Sequence, residues 1–226
     1  METTGNLESR KQIDAPIPSE EAVPGTIEVS IADPQDIEAA IVLITKEYGK
    51  EGYTKYGHES PISSYLRFPG TVTFVAKDPK NPKEVVGTAS MVFDNLPIET
   101  QYSKELNKVR NTNIEIKIAE VCQLATDREK LSRVNREDAL MKLFVAIFNQ
   151  SKSKGITNIV IVVNPNKHEN FYVKRIGFED LGEREIRMNP EVNNAPEVAK
   201  ILDLKIWSEK ELPKTFSDLV NKSKPH

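Results

Sequence analysis

The chain has 226 residues, 38% of them hydrophobic and 29% charged, with a formal net charge of −3; this is the balance of a soluble globular domain with a sizeable core, and it excludes a disordered or fibrous chain. The slight acidity argues against general nucleic-acid binding, which needs a basic footprint to neutralise phosphates. One cysteine, Cys122, excludes an internal disulfide framework and a cysteine-based zinc cluster, and three scattered histidines give no basis for a catalytic metal site.

Residues 1–25 are polar and proline-containing, lack the apolar core of a secretion signal, and are expected to form a flexible arm. No apolar run is long enough to span a bilayer, so no integral membrane segment and a cytoplasmic location are expected. Thr26 to Ala32 alternates apolar and polar residues as a strand does, and Asp33-Pro34 supplies a cap and a first-turn proline for a helix from about Pro34 to Tyr48. Gly49 to Pro69 reads as a loop carrying Tyr53, Tyr56, Tyr65 and Phe68, either a satellite hydrophobic cluster or one wall of a pocket. Thr71 to Lys77 and Glu84 to Phe93 predict a hairpin, followed by an insertion from Leu96 to Arg110.

Glu115 to Leu124 predicts a central strand, with Ile118, Glu120, Cys122 and Leu124 on one face and Ala119, Val121 and Gln123 on the other unless a bulge intervenes. Asn135, with Asp138 three residues on, predicts the N-cap of a helix whose apolar face is Ala139, Leu140, Leu143, Phe144 and Ile147 and which ends at Gly155. Ile159 to Val163 has the β-branched content of a strand covered on both faces; Asn164-Pro165 stops it, and His168 to Ile176 predicts a short helix capped by Gly177. Glu183 to Met188 predicts one more strand, and Pro196 to Leu204 a closing helix or turn. The expected class is α/β (α+β) with a mixed sheet.

In sheets of this kind ligands bind where strands end, which directs attention to Asn164–Phe178. Glu120 is a carboxylate in a strand otherwise expected to be buried, where desolvation raises a pKa toward that of a general base; a structural glutamate paired with an arginine is the competing reading. Cys122 reads as a small buried hydrophobe rather than a nucleophile, and Asn164 before proline needs no role beyond the turn.

NPNKHENFYVKRIGF from Asn164 to Phe178, AEVCQLA from Ala119 to Ala125, Gly52-Tyr53, EVVGTASMVFDNLPIETQYSKEL from Glu84 to Leu106, and Leu202-Asp203-Leu204 together resemble the N-acyl amino acid synthase family of the GNAT N-acyltransferase superfamily, related to acyl-homoserine lactone synthases. The resemblance covers residues 26–204, the expected domain, and leaves 205–226 as a C-terminal extension. It implies a GNAT-like acyltransferase fold, with a mixed, mostly antiparallel central sheet flanked by helices. The activity it implies is transfer of a fatty acyl group from a phosphopantetheine thioester to the amine of an amino acid or small amine. Glu120 is then the base and Tyr172 the proton donor to the departing thiolate, with core packing as the other reading of Tyr172. Leu124, Ala125 and Thr126 bind the thioester, and Asn164 the pantetheine arm or the acceptor.

Where typical GNAT enzymes have a glycine-rich pyrophosphate loop, this chain reads Arg133-Val-Asn-Arg-Glu-Asp138. Arg136 and Asp138 stand at glycine positions and crowd a coenzyme A cradle, which favours acyl carrier protein as donor over acyl-coenzyme A. Arg133 and Arg136 are assigned to the donor arm, and Arg128, Lys130, Lys174 and Arg175 to docking the acidic carrier; a solvated charged loop is the alternative. Competing functions are an acyl-homoserine lactone synthase, a coenzyme A-dependent N-acetyltransferase, and a non-catalytic acyl- or carrier-binding module. Gln123 bears on the last, because synthases of the related strand type have arginine there.

Overall fold

The computed structural model describes residues 27–54, 61–78 and 80–205; the N-terminal arm and nearly all of the C-terminal extension expected from the sequence lie outside them, as does Tyr56. Among the described residues one sheet runs in the order β1 (Glu28–Ile31), β2 (Thr71–Asp78), β3 (Asn81–Val92), β4 (Ile118–Thr126), β5 (Asn158–Val163), β8 (Ala195–Asp203) and β6 (Glu179–Asp180), with β7 (Arg187–Asn189) also paired to β8. Only the β4–β5 contact is parallel. The sheet is therefore mixed and mostly antiparallel, as expected.

Helix α1 (Pro34–Glu51) begins as the sequence dictates: Asp33 accepts from the N–H groups of Gln35 and Asp36, and the Asp36 carboxylate returns the bond to the Asp33 N–H. It ends three residues beyond the expected Tyr48, where Gly52 takes the left-handed conformation (φ 77°) that a side chain would strain. The following segment is not wholly loop, since Pro61–Arg67 forms a 3-10 helix. The insertion after β3 holds α2 (Glu99–Arg110), which the sequence reading had not resolved. Helix α3 (Arg133–Lys154) starts earlier than Asn135 predicted: Ser132 is the cap, its hydroxyl accepting from the Asn135 N–H at 3.2 Å, and Asp138 pairs with Lys142. Both serine and asparagine cap well, so local chemistry alone did not choose between them.

Strand alternation divides the core. Phe74, Val86, Met91, Ala119, Val121, Ile159 and Ile161 face α3, packing with Leu143, Phe144 and Ile147. On the opposite face α1 covers Val75, Val85 and Ala125, while α2 covers Val92, Ile118, Val160 and Ala199 through Tyr102 and Leu106. Burying each large aliphatic side chain stabilises the fold by about 1.5–3 kcal/mol, so this double cover is what holds β3, β4 and β5 central.

Pro196 to Leu204 is a correction: it is not a closing helix or turn but strand β8, fully paired with β5 from Asn158↔Asp203 to Val163↔Val198. Val198, Ile201, Leu202 and Leu204 have helix-like spacing, but the open edge of β5 offers a ladder and a second buried face that the local pattern does not reveal. Similarly, the strand expected at Glu183–Met188 forms only over Arg187–Asn189.

Candidate active site

Two departures from regular sheet geometry open the molecule at its centre. Parallel pairing of β4 with β5 covers Ile118↔Asn158 to Glu120↔Val160 and stops, so the two strands diverge toward their C-terminal ends. On the other edge of β4 the register with β3 jumps from Ser90↔Cys122 to Thr88↔Ala125, leaving Gln123 and Leu124 opposite Ala89 alone. Gln123 occupies the left-handed region at φ 56°, where a non-glycine residue is strained. The bulge reverses the alternation: Ala125, not Leu124, shares the α1 face, and Leu124 packs toward α3. The single-face prediction for Ile118, Glu120, Cys122 and Leu124 fails at this point, and for this reason.

A cavity of about 350 Å³ occupies the gap. Its walls include Tyr48, Tyr53, Ile98, Glu120 to Thr126, Val163, Asn164, Tyr172 and Glu197. Of the residues predicted from sequence, Glu120, Leu124, Ala125, Thr126, Arg128, Asn164 and Tyr172 meet there; Lys130, Arg133, Arg136, Lys174 and Arg175 do not line it.

Glu120 is 3% exposed, and one carboxylate oxygen accepts the Ile98 N–H at 2.7 Å. Among the described residues no lysine or arginine pairs with it, so the ion-pair reading finds no partner there. Burial pushes its pKa up to about 8 against the Ile98 hydrogen bond, with Glu197, Glu99 and Glu191 adding repulsion. Such a group loses its proton near neutrality and accepts one readily. Cys122 lies two residues on, and burial, then the Glu120 charge, raises its thiol well above the ordinary range. A thiol kept protonated is a poor nucleophile.

Tyr172 is held from below by aromatic edges: its ring centroid lies 6.1 Å from those of Phe144 and Phe178 and 5.4 Å from that of Phe171. It opens a π-helical turn (Tyr172–Ile176) that continues α4 (Glu169–Phe171), and Gly177 closes the turn at φ 96° with its N–H donating to the Tyr172 carbonyl. The start of α4 is fixed by Glu169, which pairs with Arg184 and with buried Lys200 of β8. Burial and the neighbouring Tyr53 raise the Tyr172 pKa, so the phenol stays protonated. Its hydroxyl has no hydrogen-bond partner among the described residues. Packing and cavity exposure coexist here, so the two sequence readings of Tyr172 are not exclusive. Asn164 forms the predicted turn, its side chain accepting the Asn166 N–H at 3.0 Å.

The basic residues are arranged otherwise than the sequence suggested. Arg128 pairs with Glu47 and Glu51 of α1, and Lys130 pairs with Glu84. Lys46 bridges Asp127 and Glu129, so the β4–α3 loop is laced to α1. Arg133 extends into solvent with its side chain 86% exposed, 3.5 Å from Glu137.

Among the cavity residues not singled out by sequence reasoning are Tyr48, His168, Asn189 and Glu197. Glu197 is 4% exposed and accepts from Asn189 Nδ2 at 2.6 Å; burial raises its pKa, against Asn189 and Arg187. It carries the same signal as Glu120, a carboxylate inside a strand, and was concealed by the helical reading of its segment. No metal-ligating cluster of histidine, cysteine and carboxylates occurs among the described residues. No described helix is long and apolar enough to cross a membrane.

The family model for the N-acyl amino acid synthase FeeM matches residues 39–203. The solved N-acyl amino acid synthase FeeM from uncultured soil microbes superimposes with a TM-score of 0.71 at 27% identity, over 84% of this chain and 96% of that one. More distant structures share the fold: an aminoglycoside 6'-acetyltransferase type Ii (TM-score 0.51, 15% identity, 78% of this chain and 97% of that one) and a GNAT-family acetyltransferase from Streptococcus pneumoniae (0.54, 9%, 78% and 98%). No curated protein matches. With the family model spanning well over half its length, the chain belongs to the N-acyl amino acid synthase family of the GNAT superfamily and is an acyltransferase of that type.

Proposed function

We propose that the protein transfers a fatty acyl group from acyl carrier protein to the amine of an amino acid or small amine, with Glu120 as the base. The supporting observation is a 3%-exposed carboxylate with a pKa near 8, set at the point where β4 and β5 part and beside a strained bulge. The thioester lies in the gap between the strands. Its carbonyl oxygen meets main-chain N–H groups of Leu124 to Thr126, where β4 has lost its β5 partner. The acceptor arrives as an ammonium and gives one proton to Glu120. The amine lone pair attacks the carbonyl carbon, the C–N bond forms, and the C–S bond breaks. Tyr172 gives the departing thiolate its proton and recovers one from the attacking nitrogen through the cavity. Asn164, at the end of β5, is suited to the amide groups of a pantetheine arm. Cys122 takes no covalent part.

The donor end favours a carrier over coenzyme A. A diphosphate approaching the start of α3 meets Asp127, Glu129, Glu137 and Asp138, and Arg128 and Lys130 are already ion-paired. Arg133, Arg136, Lys174 and Arg175 remain on the segments that leave the C-terminal ends of the parallel strands, with Val134 (69% exposed) and Val173 (39%) beside them in sequence. A basic surface with apolar contacts suits an acidic carrier protein. The test is turnover of matched acyl-carrier and acyl-coenzyme A donors with a pool of amines and amino acids, products being identified by mass spectrometry. Higher kcat/KM with the carrier is expected; equal or better use of coenzyme A at several chain lengths overturns the donor assignment.

A further inference from the structure

Glu120 is gripped by an element whose own position is fixed from outside the cavity. Its carboxylate accepts the Ile98 N–H at 2.7 Å, immediately before α2. Isoleucine has no side chain that can cap a helix, so a carboxylate 22 positions along the chain takes that place. The turn that offers the N–H is closed by its own bonds: the Pro97 carbonyl accepts the Thr100 N–H at 3.3 Å and the Thr100 hydroxyl at 2.9 Å. Leu96 and Ile98, each 3% exposed, anchor it in the core, while Pro97, Ile98, Thr100 and Gln101 line the cavity.

Behind this turn α2 is broken, with Tyr102 at φ −122° and ψ 23°. A break of this kind weakens the helical ladder, and Arg187 of β7 braces it. The guanidinium donates to the Gln101 carbonyl and, at 2.9 Å, to Glu105, and it lies 4.2 Å from the Tyr102 ring centroid. Arg187 also pairs with Glu185 and is not among the residues that line the cavity. A main-chain donor on a braced turn cannot rotate away as a side chain does, so the orientation of the carboxylate is set before substrate arrives.

Resting on the reading of Glu120 as the base, we propose that the first turn of α2 is its positioning element. The Ile98 N–H fixes the carboxylate by one oxygen and leaves the other to take the amine proton, and Arg187 is a positioning residue that acts through this turn. The bond also favours the anion, opposing the effect of burial. The other described titratable groups felt at Glu120 are Glu99 of α2, Cys122 of β4, Tyr65 of the 3-10 helix, Glu191, and Glu197 of β8. Removal of a neutral N–H leaves the charge of each as it was.

The test replaces Ile98 in the full chain by its α-hydroxy acid, which exchanges the N–H for an ester oxygen and keeps the side chain. Ile98→Pro removes the same donor at a φ of −59° that proline adopts, and keeps the Pro97 carbonyl an amide. In both, the rising limb of kcat/KM against pH should move upward by about one unit, with about a tenfold loss at pH 7. Arg187→Lys keeps a positive charge near Glu197 and loses the fork that reaches Gln101 and Glu105 together. It should lower kcat by about threefold with acceptor KM little changed, and add nothing in the ester background. A limb that stays in place in both Ile98 variants, with Glu120→Gln inactive, overturns the positioning while leaving Glu120 as the base. An active Glu120→Gln overturns the base reading and this inference with it. Full additivity of Arg187→Lys with the ester overturns the part given to Arg187.

Discussion

Glu51 and Glu120 line the same cavity and are treated in opposite ways. Around Glu51 the protein places Arg128 and Lys167, which together hold its pKa below the ordinary carboxylate range against the upward push of burial. Around Glu120 it places one backbone N–H and other carboxylates, and burial carries the pKa to about 8. The residue type is the same and the surroundings decide its chemistry. A carboxylate saturated by cations is fixed as an anion and ties elements together. One left with neutral donors can change charge at neutral pH, and a site for proton transfer needs that property.

The largest expected effect comes from removing the titrating member. Glu120→Gln should lower kcat/KM by about a hundredfold or more with every donor, and in the parent enzyme kcat/KM should rise with pH up to about 8 and then level, a limb that the variant lacks. The same substitution should help folding at high pH. A carboxyl whose pKa is raised in the folded state is neutral there while the unfolded chain is already ionised, so stability falls as pH climbs from the ordinary glutamate value toward about 8. Thermal unfolding should show the variant more stable than the parent at pH 8.5, by on the order of a few kcal/mol, and little different at pH 4. A variant that is both active and no more stable at high pH would break the contrast between the two glutamates.

Removing the cation from the paired end tests the other half. Arg128→Met leaves Glu47 and Glu51 at 4% and 12% side-chain exposure with Lys50 and Lys167 as their remaining partners. A loss of about 1–3 kcal/mol at neutral pH is expected in denaturant titrations, at the lower end because the arginine itself is partly exposed. The sign with pH is reversed relative to Glu120. Glu51 has a depressed pKa, so its contribution is present above the ordinary glutamate value and is lost as pH falls through the lower folded value. The penalty in the variant should therefore shrink on acidification, and a penalty independent of pH would show that packing of the arginine stem, not charge, is what was lost.

The sequence allowed one of the two most buried cavity glutamates to be read and concealed the other for an identifiable reason. Glu120 stood out because alternation from Ile118 to Cys122 announced a strand, in which a lone carboxylate is anomalous. Glu197 lies in a segment whose apolar residues fall at helical spacing, and only the free edge of β5 turns it into a strand. The bulge at Gln123 was equally hidden, because glutamine carries no local preference for the left-handed region and the strain there is imposed by the strands on either side. Caps were legible where one residue had no rival, as at Asp33, and misplaced where Ser132 and Asn135 competed. Ion pairing was not legible at all: Arg128 and Lys130 looked like docking residues until α1 and β3 brought Glu47, Glu51 and Glu84 to them across long sequence separations.

The comparison extends to the cations, and the smallest expected effect lies there. Arg128 is committed to the cavity wall, whereas Arg133 is 86% exposed beside a single glutamate, so only the second kind is free to meet a partner's charge. Reversing charge in Arg133→Glu with Arg136→Glu should reduce kcat/KM for an acyl-carrier donor by about tenfold while changing use of a short pantetheine thioester much less. Surface charges act mainly by raising the encounter rate and orienting an acidic partner, and they are screened over about 8 Å in physiological salt. Carrier-dependent turnover by the parent enzyme should therefore fall with ionic strength, and that dependence should flatten in the double variant. Equal loss with both donors would assign the two arginines to the phosphate or to folding. Indifference to both mutation and salt would make them ordinary solvated charges, and would leave the cavity itself, rather than its rim, as the determinant of donor choice.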